Sequence, residues 1–281
     1  MDQGSDDLLW RRLTPEIIRQ DLDTRWLGKQ AIHCLDAVES TNSEARSLAV
    51  RGAAEGTIVL AEGQTKGRGR SNRTWFSPRG KGLYLSVILR PRIPLEWNPR
   101  ITIAAGVALA TALDHMGIRP GLKWPNDVML GSRKVAGILT EGAFDQTGTG
   151  FAIVGVGVNV NTVSEEFPVS IRELATSLRV GTGKAISRVT MLQGFLHELE
   201  QWYETLCLGN LEGILETWRR YATILGKRVE VCLPDSGLLG VAEDLDSDGA
   251  LLVRDKMGYQ HRIMAGDVRL CRVREGEPQE S

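Results

Sequence analysis

Residues 151–160 read FAIVGVGVNV, a run that is apolar along nearly its whole length. It is far too short to cross a bilayer, which takes about twenty apolar residues. A strand with no polar alternation has to be covered on both faces, so this run predicts a central strand with other elements packed above and below it. The rest of the chain must supply those layers.

The neighbouring segments do so. TIVLAE (57–62), LYLSVIL (83–89) and KVAGILTE (134–141) are rich in Val, Ile, Leu and Tyr and read as further strands. LKWPNDVML (122–130) is split by Pro125 and Asn126 into strand, turn and strand. Helices are expected at 14–22, where Thr14 caps and Pro15 takes the first position, and at 41–51, where Thr41 and Glu44 outline a capping box. A buried helix is expected over 99–116, opened by Pro99 and stopped at Gly117. Residues 188–207 carry a helical stripe of Val189, Leu192, Phe195, Leu196, Leu199, Trp202, Tyr203 and Leu206, with Gly209 as the stop and a second helix over about 211–224. From Gly226 the texture changes to short strands split by PDSG and DSDG, which predicts a small β-barrel. The expected organisation is α+β: a tail and short helix over 1–30, a main domain over 31–222, and a small β-domain over 223–275.

The four cysteines are scattered, with no CxxC and no His/Cys pair at metal spacing, which argues for a reducing compartment and against a zinc site. The first ten residues are acidic and lack an apolar core, so no signal peptide is read there. A cytoplasmic protein with no membrane association is the expectation. The net charge is −1, which gives no global basic field to draw in DNA. Against that neutral background, nine of the residues from Gln64 to Arg100 are Lys or Arg and one is acidic. Arg68, Arg70 and Arg73 sit among glycines in GQTKGRGRSNRTWFSP (63–78). Guanidinium groups make paired hydrogen bonds to carboxylate and phosphate, and glycine lets the backbone approach a ligand closely. On composition the loop is an anion cradle, a solvated basic loop or an RNA contact. It is neither a Walker A loop nor a dinucleotide fingerprint. A glycine-rich loop of like charges is expected to be disordered until an anion neutralises it.

Five segments, ESTNSEA, GQTKGRGRSNRTWFSP, LKWPNDVML, RKVAGILTE and VGVGVNVN, stand in the order found in biotin protein ligases. The chain resembles that family from roughly Leu13 to Val273. The resemblance implies a mixed-sheet, class II synthetase-like catalytic domain with a small C-terminal SH3-like β-barrel. It implies ATP-dependent attachment of biotin to a lysine of a biotin carboxyl carrier protein, through biotinyl-5′-AMP, with Mg2+ accompanying ATP. The 39 residues before Ser40 are too few for the winged helix-turn-helix that many members add, so the ligase-only form is expected. Both monomers and dimers occur in the family, and a homodimer is left open.

Carried over position by position, the resemblance assigns Lys123 and Arg68 to catalysis. It assigns biotin binding to Ser40, Thr41, Asn42, Gln64, Arg68, Gly69, Arg70, Lys123, Gly137 and Ile138. ATP and adenylate binding falls to Arg70, Arg73, Trp75, Asn126 and Asn159, and Asp127 is read as ordering its turn or meeting a metal. Taken alone, Lys123 is a solvated lysine, Trp75 a rim tryptophan, and Gly155 and Gly157 are aids to close strand packing. The departure from the family pattern is the Ser-Asn pair after GRGR, which leaves the loop less basic. Three competing readings remain: a lipoate or octanoate ligase of the same fold, a non-catalytic biotin sensor, and a nucleic-acid binder.

Overall fold

The computed structural model describes residues 12–91, 98–232 and 237–271. The acidic N-terminus, the PDSG turn and the end of the expected 223–275 unit lie partly or wholly outside those residues. A short helix α1 (Pro15–Gln20) leads in, with the Thr14 hydroxyl accepting from the Ile17 N–H and Pro15 in the first turn. A seven-stranded mixed sheet follows. Its strands are β1 (Ile32–Leu35), β2 (Ile58–Ala61), β3 (Gly82–Leu89), β4 (Gly121–Lys123), β5 (Asp127–Leu130), β6 (Arg133–Phe144) and β7 (Gly150–Asn159). Their spatial order is β1-β2-β3-β7-β6-β5-β4, so β7 is central, as its composition requires.

Side chains alternate across a strand, and β7 uses the alternation in two ways. Ala152, Val154, Val156 and Val158 enter the larger core beneath α3 (Asn98–His115) and α5 (Arg188–Cys207). Phe151 and Ile153 face the other way, into a smaller core with Ala45 and Ala49 of α2 (Thr41–Val50). Beyond them on that second face come Gly155, Gly157 and Asn159, where Asn42 at the start of α2 and Trp75 lie against the two glycines. All three strand residues line a cleft on this face. α5 follows its stripe: Leu192, Phe195, Leu196, Leu199, Tyr203 and Leu206 are buried, with Val189 and Trp202 packed at its edge.

α4 (Leu178–Thr182) and α6 (Leu211–Tyr221) complete the helices, and a five-stranded antiparallel sheet ends the chain. That sheet holds β8 (Arg228–Cys232), β9 (Gly237–Leu245), β10 (Leu251–Asp255), β11 (Gln260–Ile263) and β12 (Asp267–Leu270), in the order β11-β10-β9-β8-β12. Its inward residues, including Val229, Val231, Leu251 and Val253, belong to the same apolar cluster as the main sheet. The buried indole of Trp124 donates to the Gly249 carbonyl at 3.0 Å, and Arg100 pairs with Asp248, so the second sheet is stitched to the wall of the first. Among the described residues no helix is long and apolar enough to cross a membrane.

One local expectation fails. The N-cap of α2 is Ser40, not Thr41, and no side chain caps it. Thr41 is the first helical residue, one position too late to close a capping box with Glu44, and its hydroxyl and N–H both donate to Gln64 Oε1, at 3.2 and 2.8 Å.

Candidate functional site

The cleft over the glycine floor has a volume of about 570 Å3 and draws on every motif singled out from the sequence. All of Ser40, Thr41, Asn42, Gln64, Arg68, Gly69, Arg70, Arg73, Trp75, Lys123, Asn126, Gly137, Ile138 and Asn159 line it.

One end is neutral and densely hydrogen bonded. Ser40, Thr41 and Asn42 are buried at the start of α2. Gln64 accepts from Thr41 and donates through Nε2 to Ser77 Oγ at 3.0 Å. The buried Ser86 Oγ lies 2.6 Å from Asn42 Oδ1 and 2.9 Å from Thr41 Oγ1. Asn42 Nδ2 donates to Glu141 Oε2 at 2.7 Å and to the Leu139 carbonyl at 3.2 Å. Gly155 exists for this asparagine: a Cβ there would stand 1.9 Å from Asn42 Oδ1. Gly157 does the same for Trp75, whose Nε1 would lie 2.4 Å from a Cβ at that position. The two glycines make room for side chains of the site rather than for strand packing.

The middle and far end are cationic. Six cations line the cleft, Arg68, Arg70, Arg73, Lys123, Lys134 and Arg269, against the carboxylates Asp127 and Asp267. The arginine loop is a tight hairpin, with Arg68 bridged to Thr74, the Gly69 N–H donating to the Arg73 carbonyl at 2.7 Å and the Trp75 N–H to the Gly67 carbonyl at 2.9 Å. It is held across the cleft by Arg68 to Glu141 at 2.7 Å and by Arg73 to Asp267. Carboxylates of the chain itself therefore meet two of the loop's charges. Burial pulls the Arg70 guanidinium below its ordinary value, opposed by Asp267 and Asp127, and an arginine stays charged regardless. Arg70 makes a long 3.5 Å contact to Asn126 Oδ1 and reaches the Gly266 carbonyl at 3.3 Å.

Lys123 ends β4 in a half-buried position. Burial lowers its ammonium below the ordinary lysine value; Asp127 opposes the shift and Lys134 adds to it. Asn126 Nδ2 donates to the Ile138 carbonyl at 2.7 Å and locks the turn against β6. Asp127 pairs with Lys134 Nζ at 2.5 Å, and Lys134 also lies 5.2 Å over the Trp75 ring, a cation–π contact. The buried indole N–H of Trp75 makes no hydrogen bond among the described residues. Asn159 donates to the Thr176 carbonyl at 3.0 Å. Asn161 is wholly structural, bonded to both the N–H and the carbonyl of Ile186.

Sequence reasoning missed four contributors. Glu141 and Lys134 stood inside quoted motifs without a role; a carboxylate within the strand run KVAGILTE was the available signal. Ser86 in LYLSVIL was another, a lone hydroxyl in an apolar strand. Asp267 had none, since its partner Arg73 is 194 residues away.

Residues 35–159 match the Biotin/lipoate A/B protein ligase family, and residues 224–270 match the Biotin protein ligase C terminal domain. The bifunctional ligase/repressor BirA of Bacillus subtilis is 35% identical over 92% of this chain and 79% of its own length. The biotin–[acetyl-CoA-carboxylase] ligase of Mycobacterium tuberculosis is 34% identical over 89% of this chain and 96% of its own. Among solved structures, the biotin protein ligase from Aquifex aeolicus in complex with biotin and ATP superimposes with a TM-score of 0.74 at 30% identity, covering 86% of this chain and 99% of that one. The mixed sheet with its glycine-floored cationic cleft, the appended antiparallel sheet and these likenesses together make the chain a member of the biotin protein ligase family.

Proposed function

We propose that the chain attaches biotin to a lysine of a biotin carboxyl carrier domain, using ATP and passing through biotinyl-5′-AMP. The observation that carries this is the division of one cleft into a neutral, amide- and hydroxyl-lined end and a cationic end. A ureido ring offers two N–H donors and a carbonyl acceptor, which suits Ser40, Thr41, Asn42 and Gln64. A carboxylate and a triphosphate suit the arginine–lysine end.

In the first half-reaction a biotin carboxylate oxygen attacks the α-phosphorus of ATP. The new bond is C–O–P, the bond to the β-phosphate oxygen breaks, and pyrophosphate leaves with the electron pair. Arg68, Gly69 and Arg70 hold the loop over the reacting groups. Lys123 offsets the negative charge on the transferred phosphoryl oxygens, a role that needs a cation held in place before reaction. Arg73, Trp75, Asn126 and Asn159 form the nucleotide end, and Gly137 and Ile138 shape the floor beside biotin. In the second half-reaction a lysine amine displaces AMP and forms the amide. No covalent enzyme intermediate is required, so orientation and charge carry the rate.

Magnesium belongs to this proposal as the counter-ion of ATP. Such ions are held largely by substrate phosphates and a carboxylate or two, and Asp127 is the carboxylate nearest the Lys123 turn. The described residues contain no cluster of three acidic, histidine or cysteine ligands. Cytoplasmic location and action without DNA are further parts of the proposal, in keeping with the net charge of −1. Whether the chain forms a homodimer is tested by sedimentation.

The deciding experiment is biotin-dependent ATP–pyrophosphate exchange, with lipoate and octanoate in parallel because the matched family includes lipoate ligases. Exchange with biotin alone is expected. Exchange with lipoate alone would move the chain to that branch, and silence with every acid would refute adenylation.

A further inference from the structure

A second cavity, of about 210 Å3, lies beside the main cleft and shares a wall with it. Arg70, Trp124, Pro125, Asn126, Ile138 and Leu139 border both. On its own side the second cavity is closed by Ile103 of α3, the Gly249–Ala250 turn and the Met264–Ala265 segment before β12. Within that shared wall the Arg70 side chain contacts Asn126 Oδ1 and the Gly266 carbonyl.

We propose that this cavity is the entrance for the acceptor lysine of the carrier domain, separate from the opening that admits biotin and ATP. The assignment rests on the ligase reading above. Its walls are mostly apolar, with Pro99, Ile103, Pro125, Met264 and Ala265, and among the described residues the one cation that borders it is Arg70. That lining fits four methylene groups of a lysine. It does not fit pyrophosphate, whose several charges are better met by Lys123, Arg73, Lys134 and Arg269 in the main cleft. Among the described residues no carboxylate borders the second cavity, and both burial and a neighbouring guanidinium disfavour an ammonium ion. The amine therefore enters as the free base, which is the nucleophilic form. Its nitrogen attacks the acyl carbon of the mixed anhydride, a C–N bond forms, the acyl C–O bond breaks and AMP leaves with that electron pair. The nitrogen gives its extra proton to the phosphate of the departing AMP. Entry on this side lets transfer occur while the nucleotide half of the cleft is filled.

Plugging the cavity separates the two half-reactions. Met264 is 46% exposed and Ala265 is also exposed, so a larger side chain at either site is accommodated by the fold. In Met264→Trp and, independently, Ala265→Trp, biotin-dependent ATP–pyrophosphate exchange is expected within about twofold of the parent. Biotin transfer to a purified carrier domain is expected to fall at least tenfold. Hydroxylamine, small enough to use the main cleft, is expected to discharge the adenylate at the parental rate. Unchanged carrier transfer in both variants would overturn the proposal. So would parallel loss of exchange and transfer, which would make the cavity part of adenylation. A parent enzyme without exchange would instead refute the ligase reading itself.

Discussion

Gly155→Ala tests how the cleft is built. The added Cβ would lie 1.9 Å from Asn42 Oδ1 and 2.7 Å from its Cγ. Relief requires Asn42 to shift by about 1.5 Å to reach ordinary van der Waals separation. A shift of that size breaks the 2.6 Å contact with Ser86 and the 2.7 Å bond to Glu141. Overpacking costs about 1–3 kcal/mol, and losing one neutral and one charge-assisted hydrogen bond adds about 2 kcal/mol net. With partial relaxation, a destabilisation of about 3 kcal/mol is expected. In a chain of this size that lowers Tm by roughly 6–12 °C. The KM for biotin in the exchange assay should rise at least tenfold, because Asn42 no longer sits in its pocket. Ser86→Ala, which removes the hydroxyl without adding bulk, should cost only about 1 kcal/mol. Calorimetry and exchange kinetics on the two variants check both effects. A Gly155→Ala protein with parental Tm and parental biotin KM would refute the argument that the missing side chain exists to seat Asn42.

Lys123→Ala is expected to reduce adenylation by at least a hundredfold with a much smaller loss of biotin affinity; equal losses would make Lys123 a binding group only. Because burial lowers the Lys123 ammonium below its ordinary value of 10.5, adenylation by the parent should decline as pH rises through that lowered value, before free lysine would titrate. Arg188 and Glu62 form a buried ion pair at 2.7 Å, with side chains 2% and 6% exposed. Arg188→Leu should cost about 3–5 kcal/mol by stranding the carboxylate, and adding Glu62→Gln should recover part of it, as read by thermal melting. Burial would raise the Glu200 carboxyl, but the backbone N–H groups of Arg25, Leu27 and Trp26 hold it below the ordinary 4.5. Its folded-state value is depressed, so its contribution is present above pH 4.5 and is lost as pH falls through the lower folded value. The stability gap between the parent and Glu200→Gln should therefore close in acid, and a gap unchanged with pH would refute the assignment.

The secondary structure was legible wherever one periodicity dominates. The α5 stripe and the β7 run both form and bury as their patterns demand, since burial of apolar area acts on every residue of a regular element. The motifs were legible because each is local: GRGR lies in one loop, KWPND spans one strand–turn–strand corner and STN opens one helix. What connects them was not. The capping box at Thr41 is a sound local reading, yet the helix takes Ser40 as its N-cap, and the Thr41 hydroxyl donates to Gln64, brought in by an adjacent loop.

The amino-acid sequence by itself determined the layered sheet, the appended β-rich segment and the concentration of positive charge on one loop, because these follow from periodicity and composition over short spans. Tertiary structure alone decided how that charge is answered. Glu141 meets Arg68 from 73 residues away and Asp267 meets Arg73 from 194 away. It also decided that Gly155 and Gly157 serve Asn42 and Trp75, and that a second cavity backs onto Arg70. Coulombic and steric contacts act at a few ångströms whatever the chain separation, and no local pattern records which distant residues folding will bring that close.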